Sequence, residues 1–322
     1  MNSPSFKRGA KIYDKGKVMY DIIIVGAGPA GLTAALYARR AEKRVLVIEK
    51  DTFGGQITHS PRVENYPGFI AVSGNEFADK LLEQVMEQGA EIELDEVKGI
   101  SGVAGNYSVN CSGKSYTAKS VILATGSHHR RLGLDGEEEL IGKGISYCAV
   151  CDGAFFKGQS VAVIGGGNSA LQDAVLLSDS CTSVTVVQNL PYLTGESRLQ
   201  SILAGKSNVK IICSTVVSSI ISENGQFRGL NLINTASGER ENLTVDGVFV
   251  AIGQVPENEP FKDILKLNEY GYIMAGENCI PEGAESGIFA AGDCRTKSVR
   301  QITTATADGA TAALAAIRFL EK

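Results

Sequence analysis

The chain lacks the excess of positive charge that nucleic-acid binding requires. Its 31 lysines and arginines are outnumbered by 36 aspartates and glutamates, which gives a net charge of −5. Contact with phosphate backbones needs a basic patch or stripe, and this balance indicates none. We therefore expect no nucleic-acid partner.

The chain also lacks an uninterrupted apolar segment long enough to cross a membrane. Its longest uncharged run, residues 22–38, is interrupted by Gly26, Gly28, Pro29 and Gly31. Residues 1–18 are polar and basic, without the apolar core or cleavage site of a secretory signal. We predict no membrane partner, a cytoplasmic location, and an N-terminal extension over residues 1–18.

Metal-binding side chains are scarce. The three histidines, His59, His128 and His129, have no metal spacing to the cysteines, and a second CxxC motif is absent. Structural zinc needs four ligands, so half a zinc site is the weaker interpretation of Cys148 and Cys151, and we predict no metal. Seven cysteines do not form a secreted disulfide framework, and the five outside this pair are expected to be buried thiols.

Glycine, by contrast, is abundant, with 37 residues in 322 against a usual share of about 7%. Two glycine-rich turns, Gly26-Ala-Gly-Pro-Ala-Gly31 and Gly165-Gly-Gly-Asn-Ser-Ala170, each follow a β-branched run and precede a helical pattern. The strands are predicted at 20–25 and 44–48 around the first turn, and at 160–164 and 183–187 around the second. Gly28 and Glu49 are 21 positions apart, as are Gly167 and Gln188. Equal spacing predicts two related dinucleotide-binding folds.

The fold class that follows is α/β, with two Rossmann-like dinucleotide-binding domains. Strands at 121–126 and 248–253 are plausible crossing points between domains, and residues 287–294 with a helix at 303–320 return to the first domain. We predict a discontinuous domain of residues 19–127 and 255–322 with residues 128–254 inserted. A tandem arrangement is the alternative.

The first turn carries the stronger nucleotide signal. Its three glycines allow the tight turn, the close approach of a pyrophosphate and the packing of helix on strand, while the helix N-terminus attracts phosphate. Glu49 stands at the end of the next strand, where an acid accepts a ribose hydroxyl. Asp293, after Gly292, is expected to bind a sugar-like chain of the same cofactor, although a lone Asp there is more often a helix cap.

Cys148-Ala-Val-Cys151 has the spacing of a redox pair, in which one thiolate attacks and the other resolves. Asp152 follows at once and is a candidate proton donor to a departing thiolate, although a turn residue before Gly153 is nearly as good an interpretation. An inert cysteine pair is the other alternative.

The second turn keeps Gly165, Gly167 and Ala170 but has lost its recognition residue. An NAD site expects an acid at the strand end and an NADP site an arginine. Here Gln188-Asn-Leu-Pro-Tyr-Leu-Thr194 has neither, and the nearest downstream cation is Arg198, most simply a solvated helical residue.

From Met19 onward, the chain resembles the low-molecular-weight thioredoxin reductases. The shared segments are the two glycine-rich turns, Gly54-Gly-Gln56, Val63-Glu-Asn-Tyr-Pro-Gly68, Ala124-Thr-Gly126, Cys148-Ala-Val-Cys-Asp152, the run from Gly287 to Asp293, and Arg300-Gln301. The resemblance implies a flavoprotein homodimer with FAD in the discontinuous domain. It also implies that the redox pair lies in an inserted NAD(P)H-type domain, which rotates to expose the disulfide to thioredoxin.

The expected FAD contacts come from both parts of the discontinuous domain. They are Gly26, Gly28, Pro29, Ala30, Gly31, Glu49, Lys50, Gly54, Gly55, Gln56, Asn65, Val97, Ala124, Thr125, Gly126, Gly292, Asp293, Arg300, Gln301 and Ile302. Cys148, Cys151 and Asp152 correspond to the family's redox pair and acid.

The family's His-Arg-Arg…Arg signature for the NADPH phosphate is absent from 188–194. In this the chain is similar to members that take electrons from reduced ferredoxin, and we favour ferredoxin as donor over NADPH or NADH in an altered pocket. A ferredoxin–NADP reductase is a weaker candidate because such enzymes lack the thiol pair. A peroxiredoxin-reducing partner usually carries an extra N-terminal domain, and a flavin-binding scaffold leaves Cys148-x-x-Cys151-Asp152 unexplained.

Overall fold

A computed structural model describes residues 19–60, 62–284 and 286–322 of the chain. The predicted extension over residues 1–18 lies outside the described part. The strands of the described part are β1 (Met19–Val25), β2 (Val45–Glu49), β3 (Glu91–Leu94), β4 (Val97–Val103), β5 (Asn106–Cys111), β6 (Ser115–Leu123), β7 (Ser127–His129), β8 (Ile145–Ser146), β9 (Ser160–Ile164), β10 (Ser183–Val187), β11 (Val209–Ile212), β12 (Thr215–Glu223), β13 (Gln226–Asn234), β14 (Arg240–Thr244), β15 (Gly247–Val250), β16 (Gln254–Pro256) and β17 (Ile288–Ala290).

The helices pack on these sheets. They are α1 (Pro29–Arg40), α2 (Gly74–Glu87), α3 (Ala149–Asp152), α4 (Asn168–Ser178), α5 (Ser197–Ala204) and α6 (Ile302–Leu320). Five short 3₁₀ turns also occur within the described residues, at Gly55–His59, Glu138–Leu140, Gly153–Phe156, Glu259–Phe261 and Gly292–Cys294.

The chain divides into two compact units. Among the described residues, the first contains residues 19–55, Asp79–Gly126 and Asn258–Lys322, and the second contains Gln56–Ala78 and Ser127–Glu257. The structure thus groups Gln56–Ala78 with the second unit, whereas the sequence prediction placed those residues in the first domain.

The first unit is built on a sheet of order β3-β2-β1-β6-β5-β4, with β17 also paired to β6. The strands β1, β2, β3, β6 and β17 are parallel, while β4 and β5 are antiparallel to their neighbours. The second half of β1, residues 22–25, is a run of isoleucine and valine buried on both faces, as a central parallel strand requires. Helices α1 and α6 pack on one face through alanines that are almost fully buried.

The second unit repeats this plan. Its parallel sheet has the order β11-β10-β9-β15-β8, and β12, β13 and β14 form a separate antiparallel sheet. Helix α4 packs its buried face, Ala170, Leu171, Ala174 and Leu177, on the parallel strands. Both units therefore combine a glycine-turn βαβ with an antiparallel meander.

The α/β fold class predicted from the sequence is confirmed. The predicted strands 160–164 and 183–187 match β9 and β10, and the other predicted elements around the two turns agree within two residues. The antiparallel strands β4, β5 and β12–β14 were not predicted. Each has an exposed polar face, and its apolar and polar residues alternate only over a short stretch.

No helix in the described ranges is long and apolar enough to cross a membrane.

We predict that Gly309→Ala destabilises the first unit. A Cβ on Gly309 of α6 would lie 2.1 Å from the Ala30 carbonyl oxygen, and backbone cannot move aside as a side chain can. We expect a loss of about 1–3 kcal/mol in the free energy of unfolding, despite alanine's higher helix propensity. Urea unfolding measures it, with the exposed Leu314→Ala in the same helix as the control. Equal stability of Gly309→Ala and the wild type would contradict the close helix contact.

Candidate active site

The turn before α1 is closed by contacts that exclude side chains. Gly26 has φ 104°, and a Cβ there would lie 2.3 Å from the Ala124 carbonyl oxygen. A Cβ on Gly31 would lie 1.9 Å from the Gly26 carbonyl oxygen. At Gly28 a Cβ would make only an ordinary contact, 3.9 Å from the Gly54 carbonyl oxygen. Gly26 and Gly31 thus pack tightly against main chain, whereas Gly28 does not, and a pyrophosphate approaches a helix N-terminus at such a position.

Glu49 ties the segments around this turn together. Its Oε2 accepts from the Ala27 amide at 2.7 Å, and its Oε1 accepts from the Lys50 and Asp51 amides at 3.0 Å each. The Gly54 amide donates to the Ala27 carbonyl at 2.8 Å. The acid therefore lies at the end of β2, beside the glycine turn, as the sequence predicted.

In the described part of the first unit, Tyr116 Oη, Asp293 Oδ1 and Arg300 Nε are buried without a hydrogen-bond partner. Asp293 Oδ1 lies 3.8 Å from Lys297 Nζ, and Asp293 and Arg300 are both among the predicted cofactor residues. Burial raises the pKa of Asp293, while Lys297 and Arg300 act in the opposite sense. The Arg300 guanidinium lies 4.2 Å from the Tyr272 ring centre, which fixes its plane. Buried polar groups are costly when unpaired, so the Asp293 and Arg300 atoms suit a ligand with hydroxyl and phosphate oxygens, as the expected FAD has.

Asp308 of α6 organises this region, and sequence reasoning missed it. Its two oxygens accept from Nε and Nη2 of Arg295 at 2.9 and 2.7 Å, and from Lys297 Nζ and the Gly292 amide at 3.0 Å each. Burial raises its pKa, but the bonds from Arg295 and Lys297 outweigh burial and hold the pKa below its usual range. The sequence signal that could have identified Asp308 is an aspartate in the interior of an alanine-rich helical segment.

The other predicted cofactor residues are placed as follows. Pro29 and Ala30 begin α1, Val97 begins β4 and is buried, and Ala124 follows β6. Thr125 Oγ1 donates to the buried Asn258 Oδ1 at 2.9 Å, with Gly126 next in the chain. Gln301 caps α6, which begins at Ile302, through a reciprocal bond pattern with Thr304. Gly55 contacts Gly28, while Gln56 and Asn65 are exposed and belong to the segment grouped with the second unit.

Cys148 and Cys151 form a disulfide in the second unit. Cys148 precedes α3, and its Sγ accepts from the Cys151 amide at 3.2 Å. Val150, between the cysteines, is 59% exposed, so the loop that carries the disulfide reaches solvent. The redox pairing predicted from the spacing is thus present.

Asp152 lies at the end of α3 with one oxygen bonded and one not. Its Oδ2 accepts from the Ser146 hydroxyl at 2.6 Å, and its buried Oδ1 has no partner. Burial raises the pKa of Asp152, and the Ser146 bond acts against that rise. A carboxyl that retains its proton more readily than usual is suited to proton donation.

A cavity of about 160 Å³ borders this carboxyl. Ser146 and Asp152 supply its polar atoms, and Ile145, Phe155 and Phe156 supply apolar walls. On the other side of the disulfide loop, Glu137 accepts from the Tyr147 hydroxyl at 2.7 Å and from the Leu132 amide at 2.8 Å. These contacts hold the segment that leads into Cys148.

The second glycine turn has the same construction as the first. A Cβ on Gly165 would lie 2.4 Å from the Ala251 carbonyl oxygen, and the Thr194 amide donates to the Gly166 carbonyl at 2.8 Å. Gln188 takes the place of the strand-end acid and is buried, with Nε2 donating to the Tyr192 carbonyl at 3.3 Å.

A carboxylate lies beside the start of α4. The Glu196 amide donates to Asn168 Oδ1 at 2.7 Å, and Asn168 Nδ2 donates to Glu196 Oε1 at 3.3 Å. Asn168 is the first residue of α4, so Glu196 holds negative charge where a dinucleotide's phosphates would approach.

Comparison with known proteins places this geometry in a family. Residues 20–309 match the family described as pyridine nucleotide-disulphide oxidoreductase. The chain is 41% identical to the thioredoxin reductase of Bacillus subtilis over 304 residues, which covers 94% of this chain and 96% of that protein. It is also 41% identical to that of Listeria monocytogenes, covering 94% and 95%. The thioredoxin reductase structure from Streptococcus pyogenes superposes with a TM-score of 0.89 at 38% identity, covering 94% and 98%.

We predict that Asp308→Asn costs about 3–5 kcal/mol at neutral pH, because Arg295 and Lys297 are then buried without their counter-charge. The pKa of Asp308 is lowered in the fold, so its stabilisation is present above about pH 4 and is lost as pH falls through the lower folded value. The stabilities of variant and wild type should therefore converge in acid.

Urea unfolding at neutral and acidic pH measures both effects. The exposed Asp263→Asn in the same unit is the control and should change little. A gap between Asp308→Asn and the wild type that stays constant down to strongly acidic pH would contradict this role for the ion pairs.

Proposed function

The chain belongs to the pyridine nucleotide-disulphide oxidoreductases and, within them, to the low-molecular-weight thioredoxin reductases, and on this premise we propose that it reduces the disulfide of thioredoxin or a thioredoxin-like protein. The observation that carries the proposal is the Cys148–Cys151 disulfide with a half-buried carboxyl, Asp152, next in the chain. FAD, when bound, supplies electron pairs that can reduce such a disulfide.

The proposed FAD domain comprises residues 19–127 and 255–322, and the first unit makes up most of it. Support comes from the absence of close contacts at a Gly28 Cβ, and from Asp293 Oδ1 and Arg300 Nε, which are buried without a hydrogen-bond partner. In this proposal Asp293 orients a ribityl hydroxyl of FAD, and Arg300 contacts a polar group of the same cofactor. The N-terminus of α1 binds the phosphates of FAD. The same proposal assigns residues 128–254 as the inserted redox domain and expects a cytoplasmic homodimer.

The chemistry of the second unit is a thiol–disulfide exchange. Two electrons and two protons convert the Cys148–Cys151 disulfide into two thiols. One cysteine, as its thiolate, attacks a sulfur of the substrate disulfide, so that a mixed disulfide forms and one substrate thiolate leaves. The other cysteine then attacks the mixed disulfide, which restores the Cys148–Cys151 bond and releases the second substrate thiolate. In this proposal Asp152 gives a proton to a departing thiolate and later takes one back.

For the electron donor we favour reduced ferredoxin over NADPH or NADH. Gln188 stands where recognition of a ribose or its phosphate needs an acid or an arginine. Glu196 also places a negative charge by the first residue of α4, where it opposes an incoming pyrophosphate. Gly165 is accounted for by packing against Ala251 and Gly166 by packing against Gln188, without a ligand.

Replacing either cysteine by serine should abolish thioredoxin reduction while leaving flavin bound, because each sulfur is needed for the exchange and neither belongs to the proposed FAD domain. Flavin absorbance and insulin-coupled thioredoxin reduction measure the two properties. Cys213→Ser, a partly exposed cysteine of the same unit, is the matched control and should keep full activity. Turnover near the wild-type rate in Cys148→Ser or Cys151→Ser would exclude the mechanism.

We expect reduced ferredoxin to bleach the flavin in an anaerobic titration, and NADPH and NADH at micromolar concentrations to leave it oxidised. Glu196→Gln should bind NADPH more tightly than the wild type, because it removes the opposing charge, whereas the exposed Glu139→Gln should not. Rapid bleaching of the wild type by NADPH would overturn the choice of donor and leave the thioredoxin reductase proposal intact.

A further inference from the structure

Ser146 is a buried polar residue next to the redox pair that no part of the proposed function uses. It ends the two-residue strand β8 and is only 3% exposed. Its hydroxyl oxygen lies 2.6 Å from Asp152 Oδ2, 3.1 Å from the Cys148 amide nitrogen and 3.5 Å from the Cys148 carbonyl oxygen. The side chain therefore connects the proposed acid to the main chain of the first cysteine.

We propose that Ser146 is a positioning residue for the disulfide chemistry, whose hydroxyl holds the Asp152 carboxyl against the main chain of Cys148 and keeps it bonded in both of its protonation states. The inference rests on the proposed function, because the role of Asp152 as proton donor comes from there.

The hydroxyl's own bonding capacity fixes the arrangement when Asp152 is ionised. A serine hydroxyl has one proton to donate and two lone pairs with which to accept. The Cys148 amide donates to it, so its single proton is free for Asp152 Oδ2, at a distance typical of a bond to a charged acceptor. Because the Cys148 amide is fixed by the start of α3, the carboxyl is fixed with it.

When Asp152 is protonated, the same atoms offer a second pattern. The protonated Asp152 carboxyl then donates a hydrogen bond to the second lone pair of the Ser146 hydroxyl oxygen. The serine proton turns to the Cys148 carbonyl, whose oxygen is already within 3.5 Å. Only hydrogens move, so the carboxyl can hold or release a proton without a change of side-chain position. A group that alternates between acid and base benefits from such a preorganised partner.

The surroundings of Asp152 make this one bond important. Burial raises the pKa of Asp152 and only the Ser146 bond lowers it, while no charged side chain contributes. The charged or titratable groups on the neighbouring elements include Asp173 on α4, whose pKa burial raises to about 6, and Lys143 on the turn before β8. They also include Tyr147 after β8, whose pKa burial raises, Glu137, which accepts from Tyr147, Lys157 after the Gly153–Phe156 turn, and Asp246 before β15. Phe155, Phe156 and Ile145 line the rest of the adjoining cavity. Ser146 is thus the one described side chain that stabilises the ionised form.

The test is an infrared titration of the carboxyl C=O band in the oxidised, flavin-loaded protein, with Asp152→Asn to identify the band. In Ser146→Ala the midpoint should move to higher pH, because the bond that favours the carboxylate is gone. Ser146→Thr, which keeps the hydroxyl, should return the midpoint towards that of the wild type. The matched control is Ser160→Ala, since the Ser160 hydroxyl donates to Asp246 Oδ2 at 2.7 Å in the same unit but at another site.

Steady-state kinetics give the second readout. Ser146→Ala should lower kcat for thioredoxin about 10- to 100-fold, the equivalent of a hydrogen bond to a charged group, with KM unchanged because Ser146 is buried. A midpoint and kcat in Ser146→Ala equal to those of the wild type would overturn the inference while leaving thioredoxin reduction standing. Wild-type protein that fails to reduce any thioredoxin would instead refute the proposed function, and the infrared midpoint would still report whether Ser146 holds the carboxyl.

Discussion

Both units depend on one steric constraint, a strand end and a glycine turn in contact with no side chain between them. In the first unit Gly26 lies against the carbonyl of Ala124, and in the second Gly165 lies against that of Ala251. The contact sets the direction in which α1 and α4 leave their sheets, and with it the position of each helix N-terminus. Gly31 and Gly309 extend the constraint in the first unit, because they let α1 approach its own turn and α6 approach α1.

Given that shared framework, the two turns differ in the charge of a few side chains. Glu49 presents an acid beside the first turn, whereas Gln188 is neutral beside the second. The first unit has cations balanced by Asp308, whereas the second has Glu196 near the start of its helix. The proposed chemistry of the second unit lies instead at α3, where the disulfide adjoins the half-buried carboxyl of Asp152.

Much of the framework was predictable because it is local. Glycine spacing, β-branched runs and the equal distance from turn to strand end predicted both βαβ elements and the redox pair. Asn258 and Asp308 were not predictable, because each acts through partners that only the fold brings near. Ser146 bonds to Cys148 and Asp152, two and six positions along the chain, but a lone serine carries no motif that marks such a role. Asp308 is 13 residues from its partner Arg295, and Asn258 is 36 residues from the Cys294 carbonyl to which it donates. No short sequence motif predicts contacts over such distances. Gln56 and Asn65 came from resemblance alone, and their roles remain proposals.

The hydrogen bond that closes each turn has an evolutionary consequence. The amides of Gly54 and Thr194 donate to the carbonyls of Ala27 and Gly166, so both closures are made by main-chain atoms. Substitution of the side chains that choose a ligand therefore leaves the closure untouched. A lineage built on this plan can alter the ligand preference of a turn through a handful of codon changes, while the close fit of main chain against Gly26 and Gly165 keeps those glycines under selection for folding.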